Sequence, residues 1–322
     1  METPIFIFSL PRSGSTLLQR VLMSNPQICS VSEPWILLPQ IYILRKEGTL
    51  SDYSSLTAHK GNMDFINNLP NKEEDYFDSL RQFMLDLYSK QCQNNEQYFL
   101  DKTPRYYLII DEIVKLFPKA KFIFLFRNPI HVFASIINTW GKGRFRKQYA
   151  NYNDIVDGTK MLSQGYSKYM GISISIKYED FILNPLEELD KVSNYLNIDF
   201  NKESLKLFNS QNTKGSLGDF LGPSSYSEIS SNGLGKWKTT FNSKIRKKFA
   251  ISLIKKIRSE DLELQGYNQK EIICEINALN SKQNSKFFMD LFDYIVGYII
   301  RKFNLNLFFV KEFSWIKKRP LS

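Results

Sequence analysis

Cysteine and histidine are scarce in this chain of 322 residues, which has three cysteines (Cys29, Cys92, Cys274) and two histidines (His59, His131). An odd number of widely spaced thiols forms neither a disulfide framework nor a zinc pattern, so reduced thiols in a cytoplasmic protein are the simplest expectation. Two distant histidines exclude a histidine-rich metal site, and no metal is expected. No run of about 18 apolar residues occurs, which argues against a transmembrane helix. The apolar stretch 4–10 is short, lacks a basic flank and leads straight into a polar motif, so it does not read as a secretory signal. Acid is also short: 33 Asp and Glu stand against 43 Lys and Arg, a formal net charge of +10. That excess favours anionic partners in general. No nucleic-acid-binding motif accompanies it, and nucleic acid is not an expected partner. Hydrophobic residues make up 43% of the chain, enough for a packed core and against global disorder.

What is present alternates between strand and helix. Ile5-Phe6-Ile7-Phe8 reads as a buried strand, residues 11–16 as a polar loop, and residues 17–24 as a helix stopped near Asn25-Pro26. Short strands are expected at 28–31 and 98–100. Residues 71–92 predict an amphipathic helix, with Asn71 and Glu74 as a capping box and Phe77, Leu80, Phe83, Met84, Leu87 and Tyr88 on one face. A short helix follows at 111–117. KFIFLF at 121–126 is the strongest candidate for a strand covered on both faces. Arg127-Asn128-Pro129 ends it and opens a helix over 130–140. Residues 172–178 read as another strand, and Asn184-Pro185 opens a helix bearing Leu186, Leu189, Val192, Tyr195 and Leu196. Such alternation predicts a parallel α/β sheet. Ligands bind such sheets at the carboxyl ends of the strands, so the loops after Leu10, Val31, Leu100 and Phe126 should share one crevice. There is no internal repeat. The boundary is set at 1–280 for the main domain and 281–322 for an amphipathic, basic extension. In that extension Phe288, Leu291, Ile295, Ile299 and Phe303 recur at helical spacing, and Phe308, Phe309, Trp315 and Lys317-Lys318-Arg319 follow. A helix packed on the main domain is the preferred expectation there, and a peripheral membrane contact the alternative.

Pro11-Arg12-Ser13-Gly14-Ser15-Thr16, between a strand and a helix, is a ready anion site. Helix N-termini offer unpaired N–H groups and a positive dipole end. Gly14 lets the backbone wrap an oxyanion closely, Ser15 and Thr16 offer hydroxyl donors, and Arg12 brings charge. Taken alone, an ordinary Ser-capped helix with a chance arginine is an equal alternative. This is no ATP-type phosphate loop, because no Lys precedes Ser15 or Thr16. IFSLPRSGSTLLQRVL resembles the 5′-phosphosulfate loop of sulfotransferases that use 3′-phosphoadenosine 5′-phosphosulfate (PAPS). It is similar in form to the tyrosylprotein enzymes and related bacterial ones. The resemblance implies a P-loop-NTPase-like three-layer α/β fold with a central parallel sheet and a mostly helical C-terminal extension. It also implies that Arg12 to Thr16 hold the phosphosulfate end of PAPS.

FIFLFRNPIHVFASI adds a second anchor. Arg127 ends a strand and Ser135 lies eight residues on, about 12 Å along a helix. Together they could clamp one phosphate, although Arg127 alone could equally be a surface charge. The pair is similar to the family's 3′-phosphate motif, which implies PAPS rather than ATP. Ile176-Lys177-Tyr178-Glu179-Asp180 resembles a segment near the donor nucleotide, implying that role for Tyr178. Gly233-Leu234-Gly235-Lys236-Trp237 resembles a late loop that closes over the donor, with Lys236 reaching a phosphate. The segment 224–232 matches poorly. The likeness covers about residues 4–268.

Sulfuryl transfer by in-line displacement needs a base for the acceptor hydroxyl and cations at the leaving oxygen. Glu33, after the second strand, is the candidate base, and it resembles the glutamate at this place in the family. The alternative is a first-turn helical glutamate complementing the dipole. Lys102 in Asp101-Lys102-Thr103-Pro104-Arg105 is the candidate cation at the leaving oxygen, with Arg12 sharing the work. A solvated surface lysine is the alternative. His131 reads as packing or surface. Residues 35–70 and 141–148 are expected to frame the acceptor cleft, where Arg144, Arg146 and Lys147 suit an acidic glycan, though solvated charge is their simpler role. A carbohydrate or small-molecule hydroxyl is preferred over protein tyrosine. A sugar or nucleoside kinase and a non-catalytic anion- or membrane-binding protein are the rival classes.

Overall fold

In parallel register, side chains of neighbouring strands meet like with like, and here the two central strands carry matching runs. β1 (Ile5–Ser9) pairs with β4 (Lys121–Phe126), setting Phe6 beside Phe122, Ile7 beside Ile123 and Phe8 beside Phe124. Successive side chains alternate between faces. Aromatic rings therefore collect on one face and branched aliphatics on the other. The computed structural model describes residues 3–49, 51–94, 96–145, 148–200, 202–211, 213–215, 217–218, 229–281, 287–303 and 305. Among these, five parallel strands form one sheet in the order β2-β3-β1-β4-β5. The outer strands are β2 (Ile28–Ser30), β3 (Tyr98–Asp101) and β5 (Ser173–Lys177).

Helices α1 (Ser15–Met23), α2 (Leu37–Tyr42), α3 (Ser55–Asn67), α4 (Glu73–Gln91) and α5 (Ile110–Leu116) precede β4. Next come α6 (Pro129–Thr139), α7 (Gln148–Tyr169), α8 (Tyr178–Leu183), α9 (Pro185–Leu196) and α10 (Ser204–Leu207). The last are α11 (Lys236–Thr240), α12 (Lys244–Ile254), α13 (Ser259–Leu264), α14 (Gln269–Ala278) and α15 (Phe287–Lys302). The chain divides into two compact units, Met1–Arg127 with Met161–Ser231, and Asn128–Lys160 with Asn232–Ser322.

The first unit holds the sheet between two helical layers. Ile5, Ile7, Ile123, Leu125 and Ile176 pack under Leu18, Val21 and Leu22 of α1 and Leu189, Val192 and Leu196 of α9. On the opposite face Phe6 meets Phe117 after α5 (5.2 Å between ring centres), and Phe124 meets Tyr166 in the last turns of α7 (5.4 Å). Truncating one such ring to alanine costs about 3–5 kcal/mol. This is the expected three-layer α/β arrangement. In the second unit His131 of α6 stacks on Trp237 of α11, and Phe133 stacks on Phe241 and Phe249. His131 is thus a packing residue, as expected.

Three expectations need correction. Cys29 and Cys92 are not separate thiols: they are joined in a disulfide with Cα atoms 5.8 Å apart, linking β2 to the end of α4, while Cys274 is free and exposed. The sequence hides this because 63 residues separate the pair, and only the parallel placement of β2 beside β3 closes the gap. The cytoplasmic expectation rested on reduced thiols and loses that ground. The capping partner of Asn71 is Asp75, which accepts from both its backbone and its side-chain amide, not Glu74. In α4, Phe77, Leu80, Met84 and Tyr88 are buried, but Phe83 points to solvent. Finally, α15 packs inward through Asp290, Asp293, Gly297 and Ile300 and turns its phenylalanines outward. The tail residues Phe308, Phe309, Trp315 and Lys317 to Arg319 lie outside the described residues. No described helix is long and apolar enough to cross a membrane.

Closing a loop of this length by a disulfide restricts the unfolded chain by about 4 kcal/mol. Thiol titration of the denatured, unreduced protein should find one reactive cysteine of three, and reduction should lower stability by up to that amount in urea unfolding. Three reactive thiols before reduction would disprove the pairing.

Candidate active site

Each of the five strands delivers a side chain or loop at its carboxyl end. β1 runs into the loop 11–16, β2 leads to Glu33, β3 to Lys102, β4 to Arg127 and β5 to Tyr178. The strand order lays these out as Glu33, Lys102, loop, Arg127, Tyr178. All of them belong to the first unit.

The loop is built around two left-handed residues, Arg12 (φ 66°) and Gly14 (φ 90°). The second is sterically demanded. A Cβ on Gly14 would lie 2.3 Å from the Tyr178 ring, so only glycine lets that ring close on the loop. Tyr178 in turn carries the Arg127 guanidinium over its face, 4.2 Å from the ring centre. Arg127 Nη1 donates to the Arg12 carbonyl at 2.8 Å, fixing the loop from the β4 side. Gly14 is the N-cap of α1 and has no side chain to cap it. The first N–H groups of a helix lack intrahelical partners, so this end of α1 is open to an anionic acceptor. Ser13 Oγ and Arg127 Nε are buried here without hydrogen-bond partners. Buried donors left unmatched in this way suit bound oxyanions, Ser13 on the loop and Arg127 at the end of β4.

Glu33 and Lys102 form a buried ion pair beside the loop. Lys102 Nζ lies 3.0 Å from Glu33 Oε1, with the lysine side chain 1% and the glutamate 12% exposed. The same ammonium is 3.4 Å from Thr16 Oγ1, so it stands between the glutamate and the loop. The solvated-lysine alternative is thereby excluded. So is the helical alternative for Glu33, because Pro34 intervenes and α2 starts only after its N-cap Ile36. Trp35, also left-handed (φ 56°), turns its indole N–H back to Glu33 Oε2 at 3.2 Å. Upstream, the Gln19 side-chain amide donates to Ser30 Oγ and to the Val31 carbonyl, pinning the end of β2 to α1.

Beneath the pair lies a network that sequence reasoning did not find. Asp101, fully buried at the end of β3, accepts from Tyr88 Oη (2.6 Å) and Tyr106 Oη (3.0 Å). Thr103 Oγ1 sits 3.5 Å from its other oxygen and accepts from the Trp35 backbone N–H at 3.2 Å. Burial pushes the Asp101 carboxyl up to about 6, against the opposing effects of its hydroxyl donors and of Lys102. A second unforeseen element is the segment around Lys214–Gly218. Ser32 N–H donates to the Lys214 carbonyl at 2.9 Å and Ser32 Oγ to the Leu217 carbonyl. A Cβ on Gly218 would stand 3.6 Å from both Glu33 Oε1 and Lys102 Nζ, so this segment walls one side of the pair. Trp35 directly after Glu33-Pro34 was a usable signal; nothing local marks residues 214–218.

Ser135 and Lys236 belong to the second unit. Ser135 shares a face of α6 with His131 and Asn138. Asn138 donates to Thr240 of α11 at 2.8 Å. Lys236 is exposed at the start of α11. Arg144 is committed to Asp293 at 2.9 Å, and Arg146 and Lys147 lie outside the described residues.

A family model described as the sulfotransferase family matches residues 4–202, which span all five strands, the loop 11–16, Glu33, Lys102, Arg127 and Tyr178. The chain belongs to the sulfotransferase family. Among curated relatives, it is 32% identical over 137 residues to the nodulation protein NoeE of Sinorhizobium fredii, covering 42% of this chain and 31% of that one. It is 24% identical over 203 residues to the protein-tyrosine sulfotransferase of Drosophila melanogaster, covering 61% and 38%. The match thus spans about a third of the length of these relatives. Among solved structures, the sulfotransferase domain from the curacin biosynthetic pathway aligns with TM-score 0.49 and 22% identity, covering 74% of this chain and 92% of that one.

Two outcomes test this geometry. Gly14→Ala should destabilise the protein by at least ~2 kcal/mol, from the left-handed backbone and the displaced Tyr178 ring, read by urea unfolding. Asp101 supplies a pH dependence with a definite sign. Its carboxyl is raised on folding from 3.8 to about 6, so its contribution is fully present below pH 4 and is lost as pH rises through 6. The stability of wild type relative to Asp101→Asn should fall over that window by on the order of 3 kcal/mol. A flat difference would show that Asp101 is not so perturbed.

Proposed function

We propose that this sulfotransferase moves a sulfuryl group from PAPS to an acceptor hydroxyl by in-line displacement, with Glu33 as the base. The observation that carries the proposal is the buried Glu33–Lys102 pair seated against Thr16 of the anion loop. PAPS supplies the activated sulfuryl group. Residues Arg12, Ser13, Gly14, Ser15 and Thr16 hold its phosphosulfate end through backbone N–H groups, hydroxyls and charge. Arg127, with Ser135, takes the 3′-phosphate, and Tyr178 and Lys236 flank the nucleotide. Glu33 accepts the proton of the acceptor hydroxyl as the oxygen bonds to sulfur and the bond from sulfur to the phosphate oxygen breaks. Lys102 and Arg12 meet the charge that develops on that oxygen. Lys102 needs only a small swing, since it already lies within reach of both Glu33 and the loop. Trp35 and Lys102 hold Glu33 against reorientation, so its carboxylate meets the acceptor in a fixed position. The reaction as written draws on side chains alone and calls for no metal. A carbohydrate or small-molecule hydroxyl is the preferred acceptor over protein tyrosine. The transfer is assigned to residues 1–280, with 281–322 as an extension.

Excess 3′,5′-adenosine bisphosphate should stabilise the protein without added metal, by about 2.7 kcal/mol at a hundredfold excess over its Kd. Mg-ATP should not. A magnesium-dependent shift with ATP alone would favour a kinase instead. Glu33→Gln should keep the bisphosphate shift and lose at least ~100-fold in kcat in an acceptor screen with radiolabelled PAPS. Unchanged turnover would remove Glu33 as base. Arg127→Ala should weaken the bisphosphate more than adenosine 5′-phosphosulfate, whereas equal losses would remove the 3′-phosphate role.

A further inference from the structure

Helix α15 is inside out for a surface helix. A helix on a water-exposed protein normally buries its apolar stripe and exposes its charges. Here the acids go in. Asp290 receives a bidentate pair from Arg246 of α12, both contacts at 2.8 Å, and both side chains are buried. Asp293 receives a second bidentate pair from Arg144, at 2.9 and 3.2 Å. These forks fix the helix rotation, because breaking one would leave a buried charge unpaired. The rotation they impose turns Phe288, Leu291, Phe292, Ile295, Ile299 and Phe303 to solvent, with Phe288 82% and Phe292 64% exposed.

The outward face is therefore apolar along about 24 Å of helix and free of acid. Its surroundings are basic. Lys302 is exposed at its carboxyl end, and α12, which packs on α15, exposes Lys244 and Lys248. In sequence, Lys282 and Lys286 precede the helix. Residues 304–322 carry Lys311, Lys317, Lys318 and Arg319 against the single acid Glu312, interleaved with Phe308, Phe309, Phe313 and Trp315. Aromatic and aliphatic side chains on one face with Lys and Arg around them are what an anionic bilayer surface takes. A second copy of the chain is a poorer occupant. A parallel pair of α15 helices would set Lys302 against Lys302.

We propose that α15 lies on an anionic lipid surface, with Phe288, Phe292, Ile295, Ile299 and Phe303 in the acyl–headgroup boundary and the surrounding lysines on the headgroups. The full chain should co-sediment with vesicles of phosphatidylcholine mixed with phosphatidylserine, at least ~10-fold more than with phosphatidylcholine alone, and release at high salt. The triple variant Phe288→Ser, Phe292→Ser, Ile299→Ser changes only exposed side chains. It should lose vesicle binding while keeping its unfolding midpoint and its bisphosphate shift. Wild type that stays in the supernatant with both vesicles, or a triple variant that still binds, would overturn the proposal. So would a dimer in light scattering that the triple variant dissociates, which would give the face to a second copy.

Discussion

The closure of Tyr178 on Gly14 is the constraint from which the rest of the site follows. The ring occupies the space a side chain would need, and it stacks under Arg127, whose guanidinium holds the Arg12 carbonyl. One contact thus ties the carboxyl ends of β1, β4 and β5 together and sets the curvature of the anion loop. A loop shaped by a glycine, a ring and an arginine is rigid before any ligand arrives. Its donors are aimed in advance, and little reorganisation opposes binding.

The other side of the loop is governed by burial. Lys102 is almost wholly removed from water, which is tolerable only with Glu33 opposite and hydroxyls alongside. The adjacent Asp101 faces the other way, into Tyr88 and Tyr106. Alternation along β3 therefore sends one charge into the site and its neighbour into the scaffold. Because Thr103 links this scaffold to the Trp35 backbone, the strand carrying Lys102 also positions the turn carrying Glu33. Glu33 and Lys102 are thus held by one framework.

The sheet and the anion loop were legible because they are written in contiguous residues. IFIFS and KFIFLF announce buried strands, and Pro11 to Thr16 announces a helix-start anion loop. Glu33 and Lys102 could be nominated from their places after strands, but not paired, since 69 residues separate them and only the β2–β3 adjacency brings them together. The same adjacency joins Cys29 to Cys92, and the same blindness to it produced the expectation of free thiols. Asp101 was invisible for a different reason. An aspartate before a lysine reads as solvated charge until two tyrosines, one from a helix 13 residues earlier, are seen to cover it. Lys214, Leu217 and Gly218 carry no pattern at all, and their place beside Ser32 and Glu33 is purely tertiary.

Periodicity misjudged α15 in an instructive way. The apolar spacing from Phe288 to Phe303 was sound, and a helix formed there, but spacing says which residues share a face and not which way that face turns. Direction was decided by Arg144 and Arg246, more than 40 residues away in sequence. An arginine that is itself buried needs a carboxylate more than a phenylalanine needs cover, because an unpaired interior charge costs several kcal/mol whereas one exposed ring forgoes about 1.5–3 kcal/mol. Buried Arg246, with Arg144 reaching in to the buried Asp293, outweighs the stripe only if that stripe gains cover elsewhere. The electrostatics of the interior thereby sets the character of the surface.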